Sequence, residues 1–481
     1  MDAAVATAFA LGACEPAASG LGGQTMMLIR SAELKKTIAL DGSSRAPNRA
    51  VPGKVGPKKR LRGHRATTVP STPATLEYAR SRFGTLPLDV VLAPAIRIAQ
   101  EGFEVSELLS NLTKRIFKLL RKGPAAPFFL KGGSRRYRPG EILKQPVLAR
   151  TLSRLAQAGI EDFYTGEIGH LIHDDMVANN GLIRDDDLAQ IPWPMERQPL
   201  SCRFGSLRVR TFPPPAAGRT LVQMLNILSN FEPKHRNLDT PRGALLLARV
   251  IRRAFLDRQD RPHEPNFYPQ AEEKRMVSRD YAERVARQLK RRTSLRGETT
   301  HLSVMDRWGN VVALTQSIER VYGSCAASPE LGFLYNDYMS AFEHEDISHP
   351  YHLRPNAVPW ASVAPTIVWK NGRPWLAIGS PGSERITPSI LQVLLRLEKQ
   401  SLYEAIEAPR LHCSLEGVVS LEVSRMRDDV IEALEGYGYE IDEREPYSFY
   451  LGCVQAVMRE RGTLVGVADP RRDGAAGGCR K

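Results

Sequence analysis

The stretch RGETTHLSVMDRWGNVVALTQSIE, residues 296–319, constrains this chain more than any other. HLSVM and NVVALTQS are β-branched, apolar-rich runs, and DRWGN between them supplies Asp306, Gly309 and Asn310 as turn formers. The segment reads as a hairpin. With its loop centred on Trp308, residues whose numbers sum to 616 face each other, so His301 is expected opposite Thr315 and Thr299 opposite Ser317. Cross-strand partners share a face with β-carbons about 5 Å apart, which brings the Ser317 hydroxyl toward Thr299. Taken alone, these hydroxyls are ordinary strand residues, and the rest of the chain has to decide whether they do chemistry.

A chain of 481 residues with 42% hydrophobic content can bury a large core, as two or three folding units or one large α/β body. No apolar run approaches the roughly 18 residues of a membrane span, and the start, MDAAVATAFALGACEPAASG, lacks the basic opening of a secretory signal. The cysteines, Cys14, Cys202, Cys325, Cys413, Cys453 and Cys479, form no CxxC pair, so neither a zinc site nor a disulfide framework is indicated. The net charge of +14 is uneven. From Thr299 onward 18 Lys and Arg stand against 24 Asp and Glu (−6), leaving 49 against 29 (+20) in residues 1–298. Basic clusters at residues 53–65, 113–122 and 286–292 come without an RNP, KH or zinc-finger pattern, so solvated helix faces are a better reading than a nucleic-acid partner.

Along the chain, AAVATAFALG reads as a helix, SGLGGQ as a bend and TMMLI as a strand. The bend is no phosphate loop, since it follows a helix and lacks a Gly-Lys-Ser/Thr end. Residues 72–160 read mostly helical, with Gly84 and Gly102 as stops. After the stiff loop FPPPAAGR come three helices, RTLVQMLNILSNF, GALLLARVIRRAFLDR and RDYAERVARQLKRR, and then the hairpin. Glu298 is thus where basic, helical sequence stops and acidic, strand-rich sequence begins. A second hairpin turns at Asn371-Gly372. Its outgoing strand enters GSPGSERITPSILQVLLRL, where Thr387 is placed to cap a helix with Pro388 in the first turn. Such a strand, tight loop and helix aim backbone N–H groups at one point, which suits a developing oxyanion.

DAAVATAFALGACEPAASGLGG, ALDGSSRAP, FGTLPLDVVLAPAIRIAQEGFEVS, FPPPAAGRTLVQMLNIL, GETTHLSVMDRWGNVVALTQSI, APTIVWKNGRPWLAIGSPGSERI and GTLVGVADPRRDGAAGG, in this order, resemble the gamma-glutamyltranspeptidase family nearly end to end. The resemblance implies an α/β, four-layer αββα N-terminal-nucleophile hydrolase. In that family a precursor cuts itself before a threonine, and the freed threonine heads the smaller subunit. Here cleavage would fall between Glu298 and Thr299, giving a basic, mostly helical fragment 1–298 and a catalytic fragment 299–481 that stay together as a heterodimer. Because Met1 falls inside what resembles the family's Gly-Gly-Asn-(Met/Val)-Asp-Ala-Ala-Val motif, the strand and helix usually upstream of it are expected to be missing.

Residue by residue, the resemblance makes Thr299 the nucleophile, with its own α-amine as base, since a threonine hydroxyl is weak until a nearby base accepts its proton. Ser317 falls where the family has a second threonine that hydrogen-bonds the nucleophile. Ser362 matches the second of two serines near the acyl pocket, the first being Ala361, and Gly382 and Ser383 match a Gly-Gly oxyanion loop. Glu319 stands where the family has Asn or Glu. The implied partner is a small-molecule amide substrate, with no cofactor, metal, nucleic acid or membrane span.

Two departures bear on the substrate. The family's arginine for the γ-glutamyl α-carboxylate is replaced by Ser43, with Arg45 two residues later as a candidate substitute. The aspartate for the α-amine is replaced by Ala341 in Met339-Ser340-Ala341-Phe342. The resemblance implies cleavage of γ-glutamyl amides such as glutathione, or of related acyl amides, through an acyl-threonine with the acyl group passed to water or an amine; losing two charge-assisted contacts favours, as the alternative, an acyl group of the kind handled by relatives resembling cephalosporin acylases and oxamate amidohydrolases. An inactive relative acting as a binding module is the reading from another class, and retention of Thr299, Ser317, Ser362 and Gly382 stands against it.

Overall fold

Alternation of side chains with period two decides the architecture. In the strand Gln24–Ser31, Met26 and Leu28 face one core while Met27 and Ile29 face another; in Val311–Ser317 the same split puts Val311 and Ala313 on one side and Val312 and Leu314 on the other. Strands that are apolar on both faces must be covered on both. The computed structural model describes residues 1–260, 277–288 and 299–479. Glu298 and the end of the basic run, residues 289–292, lie outside them.

Among the described residues two antiparallel sheets carry the structure. The first runs in the order Met195–Arg197, Lys36–Gly42, Gln24–Ser31, Val311–Ser317, Thr300–Met305. The second runs Thr463–Val467, Gln455–Glu460, Arg373–Gly379, Thr366–Lys370, Leu207–Thr211, Leu200–Phe204. Their facing sides share one core, in which Met26, Leu28 and Ala313 of the first sheet meet Ile367, Trp369 and Ala377 of the second. The helices Asp2–Cys14, Thr72–Phe83, Leu88–Glu101 and Pro146–Ala158 cover the outer face of the first sheet. Gly218–Leu228, Pro241–Asp260 and Ile386–Arg396 cover that of the second. The four-layer αββα expectation holds. No helix among the described residues is long and apolar enough to cross a membrane.

Both expected hairpins form. Thr300↔Gln316, His301↔Thr315 and Met305↔Val311 pair in the register read from the sequence. Asn371 and Gly372 take φ of 52° and 76°, the left-handed pair that a two-residue hairpin turn requires. One local expectation fails. The helix after the second hairpin spans Ile386–Arg396 and is entered through a single turn at Ser383–Arg385, so Thr387 lies inside it and caps nothing. Pro388 tolerates this because the third N–H of a helix has no intrahelical acceptor in any case.

The fragment boundary is not a spatial one. Residues before 299 supply Gln24–Ser31, Lys36–Gly42 and Met195–Arg197 to the first sheet, and Leu200–Phe204 and Leu207–Thr211 to the second; Gln24–Ser31 pairs directly with Val311–Ser317, and Leu207–Thr211 with Thr366–Lys370. Association of the two parts therefore rests on backbone ladders and shared cores as well as on opposite charge.

The two sheets come into close contact where Gly379 meets the His301 ring. Thr315 Oγ1 lies 2.8 Å from Nδ1 and Ser303 Oγ 3.0 Å from Nε2, so the ring cannot swing away, and a Cβ on Gly379 would fall 2.1 Å from its Cε1. Gly379→Ala is expected to destabilise the protein by about 1–3 kcal/mol through this overlap, read as a lowered melting temperature; an unchanged one would contradict the packing.

Candidate active site

Thr299 stands one residue beyond the last paired position of its hairpin, 3% exposed, and Ser317 ends the partner strand at 2%. What fixes this end of the hairpin is polar. The Thr300 hydroxyl donates to Glu15 Oε2 at 2.7 Å. Burial pushes the Glu15 carboxyl above the usual carboxylate range, partly offset by the Thr300 bond and the charge of Arg472. Ser317 Oγ accepts from the Glu319 N–H at 2.9 Å, and Tyr338 is hydrogen-bonded to both Ser317 and Gln24. Burial, with the nearby Glu319 charge next, holds the Tyr338 phenol protonated.

From Gln24 the buried network continues into the LDGSSRAP segment. Gln24 Oε1 accepts from the Ser44 backbone N–H (2.9 Å) and hydroxyl (3.0 Å), the Thr68 hydroxyl lies 2.8 Å from both Ser44 Oγ and Asn336 Oδ1 with one proton for the two, and the Thr68 backbone N–H donates to Asn336 Oδ1 at 3.1 Å. Buried polar groups joined in a network rigidify their surroundings, and these hold the end of the strand bearing Ser317. Tyr338, Gln24 and Ser44 were not singled out from the sequence. Their signal is weak, because a hydrogen-bonding tyrosine or glutamine in an apolar stretch looks like any other core residue.

Beside the hairpin end lies a cavity of about 560 Å³ lined by Glu319, Ser362 and Ser383, with Ser340 and Ala341 on the same lining. Its backbone is unusual. Glu319 and Ser383 both have positive φ, 77° and 57°, a conformation that costs a non-glycine residue roughly 1–2 kcal/mol and is concentrated at functional sites. Gly382 precedes Ser383 at φ 124°, and a Cβ there would approach the Gly452 Cα to 3.0 Å. The Gly382–Ser383 loop is anchored on both sides: the Cys453 N–H donates to Ser380 Oγ (3.0 Å) and the Arg385 guanidinium donates to the Tyr450 carbonyl (2.9 Å).

Of the expected site residues, Thr299 and Ser317 come together at the hairpin end, and Glu319, Ser362 and Ser383 share the cavity, with Gly382 in its bordering loop. Arg45 is placed elsewhere. Its carbonyl pairs with Val69, its guanidinium donates to Asn356 at 3.4 Å, and its side chain lines a separate cleft with Asp187 and Pro192. The reason is local: the Ser43 hydroxyl donates to Asp41 at 2.6 Å and Ser44 turns in toward Gln24, so the next residue leaves the cavity side.

His301 is not an acid–base group at neutral pH. Burial pushes its imidazole down to about 3, and the ring is occupied by Thr315 and Ser303. Arg320 faces Asp337, Nε to Oδ2 at 3.4 Å; burial lifts that carboxyl to about 7, with Arg62 and Arg320 acting the other way.

With this geometry in view, similarity to known proteins is informative. The profile of the family described as Gamma-glutamyltranspeptidase matches residues 1–479. The glutathione hydrolase proenzyme of Escherichia coli (strain K12) is 32% identical, with 98% of this chain and 86% of that protein aligned. The Acylase ACY 1 proenzyme of Pseudomonas sp. (strain SE83) is 35% identical, with 98% and 88% aligned. Among solved structures, cephalosporin acylase from Bacillus halodurans superposes with a TM-score of 0.89 at 27% identity, covering 98% of this chain and 90% of that one. The Helicobacter pylori gamma-glutamyltranspeptidase superposes with a TM-score of 0.56 at 29% identity, covering 60% and 84%. This chain belongs to the gamma-glutamyltranspeptidase family.

Proposed function

We propose that the chain cuts itself between Glu298 and Thr299 and then cleaves amides through an acyl-Thr299 intermediate, passing the acyl group to water or an amine. In the first event the Thr299 hydroxyl attacks the Glu298 carbonyl carbon, the peptide C–N bond gives way to an ester, and water hydrolyses that ester to leave the Glu298 carboxylate and a free Thr299 α-amine. In turnover that amine takes the proton of the attacking hydroxyl and returns it to the departing amine, while the tetrahedral oxyanion is met by the N–H groups of the Gly382–Ser383 loop. A second acceptor, water or amine, then releases the acyl group and restores the hydroxyl.

The observation that carries this reading is the buried Thr299 at the head of its strand, at the same hairpin end as Ser317, from which the chain runs to Glu319 in the lining of the cavity shared with Ser362 and Ser383. The naming of relatives as proenzymes agrees with it. For the acyl group, what supports a preference other than γ-glutamyl is the absence of both charged grips. Ser43 is engaged with Asp41, Arg45 belongs to another cleft, and Ala341 lines the cavity where an aspartate would have met an ammonium. The leading reading is an amidase or acyltransferase whose acyl group lacks the free α-amino and α-carboxyl pair.

Purified protein should run on a denaturing gel as fragments of 298 and 183 residues, and sequencing of the smaller should begin Thr-Thr-His-Leu. An intact active chain would refute self-cleavage. Thr299→Ala is expected to abolish both cutting and turnover. Ser317→Ala is expected to slow both by roughly tenfold to a hundredfold, the loss of one hydrogen bond worth about 1–3 kcal/mol, while the protein stays folded; unchanged rates would remove Ser317 from the site.

The pH profile of kcat/KM should rise through one group. An α-amine ordinarily titrates at about 7.7–8.0, and only its neutral form accepts a proton, so activity is lost as pH falls through that value. Titration of His301 lies far below this range. Turnover that keeps the same acid limb after the α-amine is acetylated, which removes its basicity, would contradict the assignment.

Finally, glutaryl-p-nitroanilide, which lacks the α-amine, should be cleaved at least as well as γ-glutamyl-p-nitroanilide. Each missing charge-assisted contact removes about 1.5–3 kcal/mol from binding of the latter. A strong γ-glutamyl preference, abolished by Arg45→Ala, would restore conventional specificity.

A further inference from the structure

The turn that follows the helix Asp2–Cys14 grips both strands of the first hairpin at their open end. Its backbone is fixed: the Glu15 N–H donates to the Leu11 carbonyl at 2.7 Å, the Glu15 carbonyl accepts from Ala18 and Ser19 at 3.0 and 3.1 Å, and Pro16 locks the φ between them. From this turn the Glu15 carboxyl accepts the Thr300 hydroxyl at 2.7 Å, and the Ala18 carbonyl accepts the Ile318 N–H at 3.2 Å. One helical stretch earlier, the Ala8 carbonyl accepts from Gln316 Nε2 at 3.0 Å. Thr300 follows Thr299, while Gln316 and Ile318 flank Ser317, so a single element holds the neighbours of both hydroxyls.

We propose that Glu15 is a positioning residue for acyl transfer: its bond to Thr300 latches the fragment headed by Thr299 to the fragment 1–298 and fixes the freed amino terminus in the geometry that turnover needs. The proposal rests on the reading of Thr299 as the nucleophile released by self-cleavage.

The need for a latch follows from what cleavage does to the chain. In the precursor Thr299 is held by a peptide bond on each side. Once cut, it is a chain end one residue beyond the last paired position, and chain ends fray unless tied down. Its strand is also the edge of the first sheet, paired only with Val311–Ser317. Ser317 is better held, since Gln24–Ser31 pairs with its strand on the other side. A side-chain bond to Thr300 gives the terminus a second attachment immediately behind the reacting residue, from the face opposite the His301 side of the strand. Arg472 and Asp473, the charged groups that face Glu15, belong to the Thr299 fragment as well, so this carboxyl is the contribution of the first fragment to a corner otherwise built by the second. A misplacement on the order of 1 Å in a reacting group costs up to a hundredfold in rate. What the latch requires of residue 15 is an acceptor, which an amide oxygen also supplies.

The test uses whichever of glutaryl-p-nitroanilide and γ-glutamyl-p-nitroanilide the processed wild-type enzyme cleaves faster, well below the melting temperature of every variant. Glu15→Ala and Thr300→Val should each lower kcat roughly tenfold with little change in KM, the size expected for one hydrogen bond to a carboxyl. The double variant should be no slower than the worse single one, because both remove the same bond. Glu15→Gln and Thr300→Ser, which keep acceptor and donor, should retain most of kcat. Self-cleavage, in which Thr299 is still tethered on both sides, should be slowed less than turnover. Unchanged kcat in both Glu15→Ala and Thr300→Val overturns the proposal, even if their melting temperatures fall, and so do losses that multiply in the double variant. Self-cleavage slowed as much as turnover overturns it too, since the bond would then serve the precursor's fold and not the freed terminus. Should Glu15→Ala fail to fold, Thr300→Val against Thr300→Ser decides, and equal kcat for these two overturns the proposal. Turnover that depends on Thr299 but not on Glu15 sinks this inference alone; a wild-type enzyme without Thr299-dependent turnover sinks the functional reading and the inference together.

Discussion

One antiparallel register, Thr300↔Gln316 through Met305↔Val311, is the constraint on which the rest depends. It sets which side chains of Val311–Ser317 enter the core between the sheets and which pack under the helices. It also brings the end of that strand alongside Gln24, its other neighbour, so that Ser317 sits between Thr299 and the network running through Gln24, Tyr338 and Ser44. A shift of one residue would turn every one of these side chains to the opposite face. Ser317 thus ends a strand paired on both sides and Thr299 heads the edge strand beside it, and both side chains are buried.

On the proposed function, the cavity keeps the family's chemistry while changing its choice of substrate. The reacting end uses groups tied to the sheets: Thr299, Ser317 and the strained Gly382–Ser383 loop. The recognition end draws on side chains that project from loops and helices, where replacement disturbs no ladder. Ser43 and Ala341 remove two charges there, and substrate preference follows the charges that such walls carry.

Much of this was legible in the chain. The two hairpins followed from Asn310 with Gly309 and from Asn371-Gly372, and the pairing of His301 with Thr315 followed from arithmetic on the first. The helices Asp2–Cys14, Thr72–Phe83 and Leu88–Glu101 followed from apolar spacing and from the stops at Gly84 and Gly102. The strands Lys36–Gly42, Leu200–Phe204 and Leu207–Thr211 were not seen. In Leu200–Phe204 and Leu207–Thr211 arginines and short lengths hid the strands inside a region whose basic composition reads as helical, although LRVRT alternates as a strand should. Thr387 looked like a cap and lies within its helix, because the preceding loop closes with a turn of its own. In the site, hydroxyls flanking a turn could be placed by register. Arg45 could not, since the path of the LDGSSRAP segment is set by hydrogen bonds from Ser43 and Ser44 to residues distant in sequence or folded back upon it. Glu15 was invisible for the same reason: only tertiary packing makes it a neighbour of Thr300.

The central claim is that Thr299 carries the acyl group. Rapid denaturation of the enzyme during turnover, followed by mass spectrometry of the peptides, tests it most directly. The account predicts one modified peptide, beginning Thr-Thr-His-Leu, heavier by the acyl group less one hydrogen and bearing it on Thr299. An adduct on Ser317, Ser362 or Ser383, or undiminished turnover with no adduct under conditions where release is slowed, would contradict it.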